Sequence, residues 1–202
     1  MRLLLACLAL AACTTSAPHT TLYPVTDGAT LSPSDTPLVG GVSAVIPPLL
    51  PGEPGRHAVI ETAAADVQQA LAPYAVDVVT ERPATGDFTM IVLGGAPSLV
   101  GALDTTVSLA PSSCGGERVA LVFDKGQVDY VNAILGDVGM LAGLAAADVD
   151  GDCMCRTSAC VAATAERCRF SPAAATDPGY SCGRATQDEP GLLADAFGWR
   201  DR

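Results

Sequence analysis

The run Ile134-Leu-Gly-Asp-Val-Gly-Met-Leu-Ala-Gly-Leu-Ala-Ala146 decides how this chain is read. Ile134, Val138, Leu141 and Ala145 recur at helical spacing and make one apolar stripe. Gly136, Gly139 and Gly143 interrupt that helix, each costing about 1 kcal/mol relative to alanine in a helix interior. An alanine-rich helix has no local reason to keep them. Gly139-x-x-x-Gly143 also spells a membrane dimerisation motif, but the apolar run between Asp137 and Asp148 is far short of the ~20 residues a span needs.

A zinc-protease helix has the form H-E-x-x-H-x-x-G-x-x-H. On that frame Gly136 stands at the first His, Asp137 at the general-base Glu, Met140 at the second His and Ala146 at the third. Gly143 falls on the pattern's own glycine. Met154 follows in Asp148-Val-Asp-Gly-Asp-Cys-Met154, at a spacing suited to a methionine turn. The stretch therefore resembles a metzincin, of the matrixin-like secreted bacterial type, with its ligands erased. The flanks agree. Asp66 to Pro83 reads as a helix ending near Pro73 and then a strand, Asp87 to Gly95 as a second strand, and Arg118 to Asp124 as a third. The helix carrying the degenerate motif is expected over Val128 to Ala147. This helix–strand–strand–strand–helix order is similar to the upper subdomain of that family, over roughly residues 57 to 170. The resemblance implies an α+β, zincin-like fold: a twisted mixed sheet packed on helices, a long pseudo-active-site helix and a disulfide-rich C-terminal part.

The erased residues decide the chemistry. Two histidines at i and i+4, with a third past a glycine-permitted bend, give zinc three nitrogens and leave one position for water. The metal lowers the pKa of that water to about 7, and the Glu removes its proton. Gly136, Met140 and Ala146 supply no nitrogen, and the only histidines, His19 and His57, lie far upstream. Asp137 is an acid with no metal-bound water to act on. No catalytic residue is therefore assigned and no cofactor is expected.

With 202 residues and about half of them apolar, the chain amounts to one modest domain plus a tail. Its formal net charge of −11, with Lys125 as the single lysine, argues against nucleic acid as a partner, since phosphate binding needs clustered cations. Met1 to Cys13 has one positive charge, a short apolar run and small residues, the pattern of an export signal. Leu10-Ala-Ala-Cys13 resembles a bacterial lipobox, which makes Cys13 a lipidated amino terminus and the membrane a partner through that anchor. The expected location is the cell envelope, at the outer membrane or cell surface in a Gram-negative source. Residues 14–54, rich in Pro, Gly, Ser and Thr, read as a flexible tether, with Val39 to Leu50 apolar enough to dock. Residues 55–202 are the expected metzincin-like domain, and Trp199 has no binding signature.

Beyond Cys7 and Cys13 stand Cys114, Cys153, Cys155, Cys160, Cys168 and Cys182, an even count that in an exported chain argues for three disulfides. Cys114 is expected to join the C-terminal cluster, and Cys153 and Cys155 to have different partners. A metal cluster of Cys153, Cys155, Cys160 and Cys168 is the competing reading. Asp148, Asp150 and Asp152 resemble the opening of a calcium loop, but Cys153 and Ala159 stand where such a loop needs Gly and Glu. Copper(I) on Met140, Met154 and cysteine sulfur is chemically allowed.

Three functions are in play. The favoured one is a lipid-anchored pseudoprotease that binds peptides or proteins, or serves as a scaffold, with Arg118 to Asp124 as the edge strand offered to a peptide. The second is a working metallopeptidase that uses Asp137, Asp148, Asp150 or Asp152. The third is a structural envelope lipoprotein unrelated to proteases.

Overall fold

The computed structural model describes residues 20–111, 114–126, 129–155 and 167–200. The apolar run Phe88–Leu93 forms a central strand, β5, as a run with both faces buried should. Around it lie β1 (Thr20–Val25), β4 (Val76–Val78), β7 (Val119–Val122) and β6 (Ser108–Leu109), in the order β4-β1-β5-β7-β6. The first four are mutually parallel, and β6 runs antiparallel to β7 at the edge.

Alternate residues of the strands serve two cores. Leu22, Ile91, Leu93, Ala120 and Val122 face two helices, α1 (Arg56–Ala70) and α2 (Tyr130–Leu141), which bring Val67, Ile134, Leu135 and Val138. Val25, Val92, Leu121 and Phe123 face the other way. There they meet the hairpin of β2 (Ala29–Leu31) and β3 (Ala44–Ile46), together with Val39. Beyond α2 the described residues hold little regular structure: β8 (Ala174–Ala175) pairs with β9 (Thr186–Gln187), and α3 (Glu189–Phe197) packs Leu193 and Phe197 on the helix-side core.

The mixed sheet and the helices match the expected architecture at that coarse level. Three details differ. Residues 20–54 are not a tether, because β1 lies inside the sheet and Val39, Ala44, Ile46 and Leu49 are buried. Arg118–Asp124 is not an edge, because β7 is flanked by β5 and β6. The motif helix spans Tyr130–Leu141, not 128–147. It starts where Asp129 accepts the N–H groups of Val131 and Asn132, and it stops before Gly143, whose φ of 90° is left-handed.

Candidate functional site

Helix α2 carries Gly136, Asp137 and Met140 into the interior, and none of them is open to solvent. Gly136 and Met140, four residues apart, share one helix face. Gly143 then bends the chain, and a Cβ there would come within 2.8 Å of the Cys114 carbonyl oxygen. The carbonyl of Gly143 accepts from Arg184 Nη1 at 2.9 Å, which caps the helix end.

Past the bend, residues 144–148 run extended, with Leu144, Ala145, Ala146 and Ala147 all buried. Each neighbour takes up a share of their backbone groups. Gln187 accepts from Ala145 N at 2.9 Å and donates to Ala145 O at 2.7 Å. Ala146 O accepts from Asp177 N, Ala147 N donates to Met154 O, and Asp148 N donates to Ala175 O. Ala146 is thereby fixed just beyond the helix end.

Met154 is completely buried in a turn beneath α2. A Cβ on Gly139 would fall inside the van der Waals shell of Met154 Sδ and would also crowd Leu144 and Phe170. Gly139 is what lets the methionine lie against the helix. Asp152 Oδ1 shapes the turn by accepting from Met154 N at 2.7 Å.

No protein-family model matches this sequence, and neither curated proteins nor solved structures give a match. The reading of the site therefore rests on its own geometry. Zinc does not fit it: Gly136, Met140 and Ala146 offer no nitrogen ligand. Asp137 is completely buried, and Ser108 Oγ on β6 donates to its Oδ1 at 3.0 Å. Asp137 thus ties helix to edge strand.

The other metal readings fare no better. Asp148 and Asp150 are exposed while Asp152 turns inward, so the three carboxylates do not converge. Among the described residues no group of three His, Cys, Asp or Glu could hold a cation. Cys114 is disulfide-bonded to Cys182, as part of the expected link to the C-terminal cluster, and Cys153 to Cys168. Cys155 is also in a disulfide. Sulfurs committed in this way are not thiolate ligands for copper or zinc. Cys13 and Cys160 lie outside the described residues.

One buried acid pair escaped the sequence reading. Glu189, first residue of α3, has no exposed surface; its Oε1 accepts from Gln187 Nε2 at 3.0 Å and its Oε2 from Ser171 N at 3.1 Å. Burial, then the neighbouring Asp152 carboxylate and a hydrogen bond with it, push the Glu189 carboxyl up to about 8. The Glu189 carboxyl thus holds its proton to a higher pH than an ordinary glutamate. Neither Glu189, Gln187 nor Ser108 carries a local motif; their partners lie far away in sequence, and only the fold brings them together.

Proposed function

We propose that this chain is a catalytically silent, zinc-protease-like domain, exported and held at the cell envelope by a lipid on Cys13, that binds protein segments without cutting them. The observation that carries the reading is Met154 laid against Gly139 on a helix that ends at the Gly143 bend. This is the frame of a zinc protease with the ligand positions filled by Gly136, Met140 and Ala146. Asp137 serves this frame as a structural acid. Its hydrogen bond from Ser108 holds the edge strand over the helix.

The binding surface belongs to β6, and not to the strand that the sequence pointed to. It is the outermost strand on that side, and Leu99, Leu103 and Val107 leading into it are exposed apolar side chains. An extended peptide laid along this edge gains backbone hydrogen bonds and places alternate side chains on that apolar surface. Among the described residues no helix is long and apolar enough to cross a membrane, so the envelope attachment in this reading is the lipid.

A peptide-library screen on the purified chain tests the binding half. Apolar extended peptides should be retained, and Leu103→Asp combined with Val107→Asp should weaken their retention at least tenfold. Retention unchanged by those substitutions, or no retained peptide at all, contradicts it. Chelator-sensitive cleavage of any of these peptides contradicts the catalytic silence.

A further inference from the structure

The chain enters the fold beside an exposed aromatic platform. Thr20, the first residue of β1, donates its N–H to Ala75 O at 3.0 Å, and Ala75 N donates to Gly198 O at 2.9 Å. Neighbouring extended segments lie about 4.8 Å apart, which places Trp199 on the order of 10 Å from the entry point. Trp199 is the only tryptophan of the chain. It stacks on buried Tyr74 with ring centroids 5.4 Å apart, yet stays 56% exposed. A large apolar ring held rigidly at the surface has no task in the fold that needs that exposure.

Arginines cluster near Trp199, two of them paired with carboxylates. Because β1, β4, β5 and β7 are parallel, the starts of all four lie on one rim. Arg200 donates to Tyr74 O and Val76 O and pairs with Asp77 there. Arg118, just before β7, pairs with Asp87, and Arg82 lies over the Phe88 ring. A chain of net charge −11 thus sets three guanidinium groups along the rim that holds its tryptophan.

The leash to the anchor is short. Only the six residues Thr14 to His19 separate Cys13 from β1. Fully extended they reach about 20 Å, and as a flexible chain they average about 13 Å. A domain of this size has a radius of gyration of about 16 Å. A leash whose average length is below that radius, and whose full reach is only slightly above it, keeps the entry rim toward the bilayer.

We propose that this rim is a membrane seat: Trp199, backed by Tyr74, enters the interfacial layer of the bilayer while Arg82, Arg118 and Arg200 lie among the headgroup phosphates. Trp and Tyr favour that layer because their rings are apolar with one polar edge, and arginine keeps its charge in the headgroups while its stem lies against apolar surface. The seat rests on the reading of Cys13 as the lipid anchor. One tryptophan binds a bilayer weakly, so the leash supplies the local concentration that fills the seat. Leu103 and the β6 edge, near the opposite ends of the parallel strands, then face away from the membrane.

The single tryptophan makes the test direct. The full chain is purified from membranes, the mass of its amino-terminal fragment is read for acyl groups, and the protein is reconstituted in phosphatidylcholine vesicles with a minor fraction of phosphatidylglycerol. Relative to Cys13→Ser protein mixed with the same vesicles, Trp199 emission should move to shorter wavelength, lose quenching by aqueous iodide and gain quenching by interfacially brominated lipid. A reporter moved by Trp199→Phe with Leu103→Trp should stay open to iodide and blind to brominated lipid. Acylated protein whose Trp199 remains as open to iodide as in Cys13→Ser overturns the seat and leaves the anchor standing. A reporter at 103 that behaves like Trp199 also overturns it, since no face is then preferred. An amino terminus without acyl groups overturns the anchor, and the seat with it.

Discussion

Between Thr20 and Leu141 the chain is held by apolar burial on both faces of a five-stranded sheet; among the described residues of this part, only Cys114 joins a disulfide, and its partner lies in the other part. From Leu144 to Arg200 the order is reversed. Among the described residues regular elements are few, and the segment is fixed by disulfides at Cys153, Cys155, Cys168 and Cys182 and by polar side chains that take up its backbone groups. The first part draws its stability from area removed from water, which tolerates small losses. The second draws it from a few discrete links, so each loss should be felt singly. Helix α2 in the first part and Met154 in the second lie against each other where the two meet.

The comparison can be broken most severely at the disulfides. Replacing Cys114 and Cys182 by serine opens a loop with a sequence separation of 68, and the chain-entropy account gives a loss of about 4 kcal/mol. Opening Cys153–Cys168, with a separation of 15, should cost about 3 kcal/mol. Chemical denaturation of both double variants checks the order. Equal or reversed losses would mean that the links act by something other than closing loops.

A smaller effect is expected where the parts touch. Gly139→Ala drives a methyl group into Met154 Sδ and should cost about 2 kcal/mol through overpacking. Combined with Met154→Ala the cost should be less than the sum of the two single losses, because the second change opens the space that the first needs. Additive losses in that cycle would separate the helix from the turn.

The smallest effect over any one pH unit, and the one that sharpens the comparison, is in pH. The Glu189 carboxyl is raised to about 8 in the folded chain from an ordinary value near 4.5. The folded state therefore holds a proton that the unfolded state has lost. Stability from this site is complete below about pH 4.5, falls by at most about 1.4 kcal/mol per pH unit, and is lost as pH passes through about 8. Glu189→Gln keeps a donor toward Asp152 without a titrating group, so its melting temperature should lose that decline. A parallel decline in variant and parent assigns the pH dependence to other groups.

Legibility in the sequence follows the same division. Phe88–Leu93 and Val119–Val122 were readable because continuous apolar runs leave few alternatives, and the bend at Gly143 because only glycine suits a φ of 90° so close to another backbone. The strands before α1 were hidden by composition. β1 contains Pro24, which argues against a sheet interior, but Pro24 lies past the pairing of β1 with β4, where the strand has one neighbour. β6 has two residues, too few for any period, so the edge was assigned to the more conspicuous β7. Within the candidate site, Gly136, Asp137, Met140 and Met154 could be singled out by their spacing alone. The contacts that hold them, from Ser108, Arg184, Gln187 and Glu189, could not be, since each spans a distance in sequence that no local pattern records.

What we propose is a protease-like frame that lacks its zinc ligands. A zinc titration of the native chain beside the variant Gly136→His, Met140→His, Ala146→His tests that most directly, with circular dichroism to show that both are folded. The native chain should take up no zinc and the variant a single tightly held ion. Stoichiometric zinc in the native chain, or a folded variant that binds none, would contradict the account.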